Sequence, residues 1–307
     1  MNEHMKIYRR LRTWLMFMVL IAGTVTLLIV VHNDLTKGDW KVDLTKQITR
    51  DQQRLSRPDI PAARKAEMQQ RLAVDQYRLK NNMPPTELSL WGGVLTSANL
   101  LVAITMLTVI IAGESVAGEF SSGTIKLLLI GRASRSKILL SKYITTLVFA
   151  LLMLTALFGT AFVTSGILEG FDQVGLPYLY ATPDLVVHES NMFTYAMSTY
   201  GYKCVEMVLL VTMAFMISTV FRSISIAIAT SVGLTFGGAA IAAFFSSRQY
   251  WWAKYYLFEN TDLTVYLTNS PMIDGMTRDF SVGVIVVYFV MFIAASWIVF
   301  NKRDVTA

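Results

Sequence analysis

Six long apolar runs alternate with polar segments of very unequal length. The runs are Thr13–Val31, Leu90–Ala112, Ile138–Leu168, Cys204–Val220, Ile224–Phe245 and Val282–Phe300. A helix needs about 20 mostly apolar residues to cross the hydrocarbon core, so each run predicts a spanning helix. The third is long enough to tilt or to project beyond the lipid. The expected fold class is all-α: a polytopic membrane protein with six transmembrane helices forming one domain over residues 1–307. Lys6, Arg9, Arg10 and Arg12 precede the first run, as in a signal peptide. Its apolar core is too long for that, and Val31-His32-Asn33-Asp34 follows in place of a small-residue cleavage site, so a retained span is expected.

The polar segments carry their own periodicities. Within the insert 33–86, Leu44, Ile48 and Leu55 recur at helical spacing, as do Met68, Leu72 and Leu79. Two amphipathic helices are expected over 43–80, broken at Arg57-Pro58-Asp59-Ile60-Pro61, with Asp59 as a cap and Pro61 in the next first turn. Segments 169–203 and 246–281 are further long connections. The second opens with Tyr250, Trp251, Trp252, Tyr255 and Tyr256, an aromatic belt suited to headgroup level. Gly233 and Gly237 share one face of the fifth span, which predicts close helix packing, within the subunit or against a second one.

Composition agrees with a bilayer: 54% of residues are hydrophobic and 16% charged, against roughly 25% charged in soluble domains. The single cysteine, Cys204, excludes an internal disulfide framework. His4, His32 and His188 are far apart, and no cluster has metal-ligand spacing. The net charge of +6 comes without a basic stripe of interleaved aromatics, so no nucleic acid is expected. Basic residues crowd the span ends before Thr13, around Arg132–Lys142 and after Phe300, which predicts both termini on the cytoplasmic side of the plasma membrane. The insert 33–86 holds eleven Lys and Arg, yet basic residues in so long a loop bias topology weakly, so it is placed outside as an extracytoplasmic helical hairpin.

The spans are nearly free of charge. Glu206, a few residues inside the fourth, reads as interfacial, and no carboxylate pair or proton relay is evident. Ion-coupled carriers place such groups where they act, so a proton-coupled carrier is disfavoured. Gly118 and Gly123 have the spacing of a phosphate-binding loop, but Thr124-Ile125-Lys126 follows where Lys-Ser/Thr is required. No hydrolase triad or zinc-protease helix is present, so the chain is not expected to be an enzyme by itself or to hold a cofactor.

What remains is the segment 114–137, too long and too polar for a simple turn. Glu114–Phe120 continues the second span, Ser122-Gly123 offers a bend, and Gly131-Arg132-Ala133-Ser134 a turn from which Ser134 or Ser136 can cap the third span. A short helix held at the surface fits a groove on a soluble partner, with Phe120 as the buried anchor and Glu114, Glu119 and Lys126 setting register. A re-entry loop that neutralises lipid headgroups is the alternative reading.

Glu114, Gly118, Glu119, Phe120, Ser122-Gly123-Thr124, the basic turn Arg132–Arg135 and Ile138-Leu139-Leu140-Ser141-Lys142-Tyr143 resemble the cytoplasmic loop of type-2 permease subunits of ATP-binding-cassette exporters. The amino-terminal basic run and Phe300-Asn301-Lys302-Arg303-Asp304-Val305 are similar to that family too. The resemblance implies a cytoplasmic coupling segment, with Glu114, Gly118, Glu119, Phe120, Gly123, Thr124, Lys126, Arg132 and Arg135 docking a separate ATPase chain that carries ATP and Mg. It also implies a second permease subunit, identical or related, a membrane lipid environment, and export of an amphipathic peptide, drug or lipid. A non-transporting sensor or immunity subunit that binds an antimicrobial through its outer loops is the alternative.

Overall fold

The computed structural model describes residues 2–56, 62–125, 134–171, 174–182, 184–268, 273 and 275–302. Its helices are α1 (Asn2–Tyr8), α2 (Leu11–Thr36), α3 (Trp40–Leu55), α4 (Ala62–Lys80), α5 (Leu90–Ser97), α6 (Leu101–Ser121), α7 (Arg135–Glu169), α8 (Met192–Val220), α9 (Ile224–Arg248), α10 (Leu257–Asn260) and α11 (Arg278–Lys302). Two strands, β1 (Pro177–Ala181) and β2 (Val187–Asn191), pair antiparallel. Among the described residues, six stretches are long and apolar enough to span a membrane: α2, α5–α6, α7, α8, α9 and α11. The protein is therefore an all-α polytopic membrane protein, with a small β-ribbon.

The chain groups into two compact units. One comprises Met1–Leu20, Leu100–Ala156 and Tyr200–Ala307. Its core holds Ala112, Val116, Ala117, Leu139, Phe149, Met153, Ala214 and Phe215, all fully buried. Small residues let α6 and α9 approach: a Cβ on Gly113 meets Ile228 at 3.3 Å. Tyr143 leans on Phe215 at 5.2 Å and its hydroxyl reaches Thr212 at 2.8 Å. The Tyr143 and Thr212 hydroxyls thus partner each other inside the apolar layer.

The other unit comprises Ile21–Asn99 and Leu157–Thr199. Asp39 caps α3 by accepting from the Lys41 amide, and α3 pairs with α4 as the expected helical hairpin, burying Leu44 and Ile48. The expected break and its cap, Arg57–Pro61, lie outside the described residues. Trp91 anchors this unit, edge-on to Phe162 and Phe193 and donating its indole N–H to Val174 O at 3.1 Å. His32 and Glu169 close the ends of α2 and α7 with a 2.7 Å contact.

One boundary and one element differ from expectation. The fourth span starts at Met192, not Cys204, because Asn191 Oδ1 accepts from the Thr194 amide and starts the helix in a stretch whose tyrosines read as polar loop. Segment 169–203 also contains the ribbon. Leu179 points inward, while Tyr178 stacks on Tyr195 and Tyr180 on His188. The period-two alternation Tyr178-Leu179-Tyr180 was its signal.

Candidate functional site

The second span does not stop at Ala112. Helix α6 runs on to Ser121, and Gly123, at φ +70°, ends it in the left-handed conformation that favours glycine at this cap. The Gly123 amide donates to Phe120 O at 3.2 Å and the Ser122 amide to Gly118 O at 3.0 Å. The bend expected at Ser122-Gly123 is thus a glycine-terminated helix end.

Two serines brace this extension. Ser218 Oγ, on α8, donates to Gly113 O at 2.7 Å and accepts from the amides of Val116 and Ala117 at 3.1 and 3.0 Å. Ser121 Oγ donates to Arg222 O at 2.9 Å and accepts from the Ile224 amide at 3.2 Å, stitching the helix end to the α8–α9 turn. Five backbone groups are satisfied by these two hydroxyls, which fixes the register of α6 against both neighbours.

The carboxylates of the segment face the chain's own cations. Glu119 Oε1 accepts from Lys6 Nζ at 2.8 Å and Lys142 Nζ at 2.9 Å, while Thr124 Oγ1 donates to Oε2. Glu114 Oε1 accepts from Arg10 Nη1 at 2.6 Å, and Arg12 pairs with Oε2. The Glu119 and Lys142 side chains are only 11% and 4% exposed, so this pair is shielded in a way surface pairs are not. Thr13 Oγ1 and Trp14 Nε1 bond back to Ile7 O and Tyr8 O, holding α1 against the start of α2. A cavity of about 430 Å³ lies within this unit, lined in part by Lys6, Arg10, Arg12, Glu114, Glu119 and Lys142.

Of the sequence-predicted docking residues, Glu114, Gly118, Glu119 and Thr124 line this cavity. Phe120 is half-buried beside them, Ser121–Thr124 form the exposed tip, and Ile125 turns back into the interior. Arg135 stands apart, donating to Asn301 O at 3.1 Å near the end of α11. Lys126 and Arg132 lie outside the described residues. The partners Lys6, Arg10, Arg12 and Lys142 were not expected in the site. A lysine one turn into an apolar run, as Lys142 is after Ile138, is the signal that a partner waits for it.

Gly233 and Gly237 require a correction. A Cβ on either meets nothing within 4 Å among the described residues, so the contact expected within the subunit is not made there. Gly238 does: its added Cβ would sit 2.1 Å from the Phe258 ring. The face carrying Gly233 and Gly237 is exposed. Glu206 also differs from expectation. With the span starting at Met192 it lies mid-helix, held by Lys203 at 3.0 Å, and Lys203 also binds Asp262 at 3.1 Å. Two half-buried carboxylates sharing one lysine were not evident from the one-dimensional pattern.

Fold and site together define a six-span helical membrane protein whose second span projects into a braced, ion-paired elbow. Residues 68–306 match the family described as "Protein of unknown function (DUF2705)", and the chain belongs to it. It is 35% identical over 316 aligned residues to "Uncharacterized protein YhcI" of Bacillus subtilis, covering 99% of this chain and 97% of that one. It is 26% identical over 215 residues to "Uncharacterized membrane protein YdbK" of the same organism, covering 70% of this chain and 82% of that one.

Proposed function

We propose that this chain is the permease subunit of an ATP-driven exporter of the ATP-binding-cassette type-2 class, seated in a plasma membrane with both termini in the cytoplasm. The observation that carries the reading is the rigid extension Gly113–Ser121, clamped by Ser218 and by Ser121 to the neighbouring spans. Force applied at its tip reaches the membrane helices without loss in a floppy loop, which is what a coupling element requires. The α3–α4 hairpin lies outside the cell in this arrangement. A separate ATPase chain, holding ATP and Mg, docks on the tip and on Phe120, and two permease subunits pair around the path of an amphipathic substrate.

Glu114 and Glu119 are engaged with their own cations, so they position the elbow, and the contact falls to Phe120 and the exposed turn Ser121–Thr124. Replacing Phe120 by Ala should lower retention of the ATPase partner on the purified chain about tenfold, the weight of one buried aromatic anchor. The amount of chain in the membrane stays unchanged. Undiminished retention contradicts the docking assignment.

A further inference from the structure

We infer that the cavity beside the elbow is a binding site for the phosphate-bearing headgroup of an anionic phospholipid. Four cations line it, Lys6, Arg10, Arg12 and Lys142, against the two carboxylates Glu114 and Glu119, so it retains two positive charges. Its volume, about 430 Å³, is in the range of small-molecule sites.

Charge alone describes an ion-pair network; two further observations point to a ligand. Thr145 lines the cavity, is 2% exposed, and its hydroxyl has no hydrogen-bond partner among the described residues. A buried hydroxyl left this way is desolvated with no bond in return, and an oxygen-rich anion in the cavity supplies that bond. Ile7, Ile111 and Ile224 line the same space, and Ile111 and Ile224 belong to apolar spans. Cationic and apolar walls in one cavity suit an amphiphile better than a free ion. Basic pockets between spanning helices hold lipid headgroups for this reason. The inference goes beyond the transport reading and stands whether or not an ATPase docks.

Native mass spectrometry of the full-length chain in detergent tests it, with phosphatidylglycerol, phosphatidylcholine and inorganic phosphate as probes. Phosphatidylglycerol should be retained about tenfold more than phosphatidylcholine, as expected for one charge-assisted contact. Thr145→Val keeps the shape of the side chain and should lose several-fold in phosphatidylglycerol retention, as should Lys6→Gln, a change at a half-exposed side chain. Equal retention of the two lipids overturns the site. So does phosphatidylglycerol retention that is unaltered in both variants, and so does displacement of bound phosphatidylglycerol by equimolar inorganic phosphate, which makes the site one for the free ion.

Discussion

Glu119 is the residue on which the elbow's geometry converges, with two ammonium groups and a hydroxyl on one carboxylate. Lys142, 4% exposed, has little water to replace this partner. With Lys6 also on Glu119, the carboxylate is the member whose loss bears most on the shielded lysine. Glu119→Gln should therefore cost on the order of 3 kcal/mol, seen as a lowered Tm in detergent. The double variant Lys142→Met with Glu119→Gln should recover part of that loss; additive losses would show that the two side chains do not act as a pair. A second buried carboxylate, Asp75 on α4, behaves differently. Burial raises its pKa from 3.8 to about 6, with Asp51 and Glu87 adding to the rise and Arg78 and Arg71 opposing it. The folded state then holds this proton more tightly than the unfolded chain, so the contribution of Asp75 to stability is fully present below pH 4 and is lost as pH rises through about 6. Asp75→Asn should raise stability at pH 7.5 by roughly 1–2 kcal/mol and flatten that slope. A slope unchanged by the substitution rules out Asp75 as its source.

At the scale of elements, α9 provides the sharpest contrast. Gly237→Ala adds a methyl into open space and should hold or raise Tm, since alanine is the better helix former by about 1 kcal/mol. Gly238→Ala drives the same methyl into Phe258 and should lower stability by about 1–3 kcal/mol. If Gly237→Ala instead breaks a dimer, the exposed face is a seam between copies. Sequence spacing identified the small-residue helix but missed Gly238, the glycine that packs within the chain, because a four-residue interval marks a face without saying which face is covered. The six spans were legible because their apolar runs exceed the bilayer length, and α3 and α4 because Leu44 and Ile48 in one and Leu72 and Leu79 in the other keep helical phase. The start of α8 and the β-ribbon were not. Both depend on Tyr178, Tyr195 and Asn191, whose stacking and capping partners lie elsewhere in the chain or in local geometry that hydropathy does not record. For the same reason the elbow was found as a segment, while its cations, over a hundred residues away at Lys6 and Arg10, were not.

For the whole molecule, orientation and drive are separable. In a Cys204→Ser background, a cysteine at exposed Ser56 in the hairpin should react with an impermeant maleimide on intact cells, and one at exposed Ser122 only after permeabilisation. The reverse pattern would invert the topology and remove the elbow from ATP. The drive is tested most directly by purifying the chain in mild detergent from the membrane in which it is native and measuring ATP hydrolysis and composition together. The account predicts a stoichiometric companion bearing a phosphate-binding loop, with hydrolysis in the complex, none in the isolated chain, and loss of the companion in Ser122→Trp but not in Ser56→Trp. A chain that moves substrate across reconstituted vesicles alone, or that binds its ATPase equally well with Ser122→Trp, contradicts it.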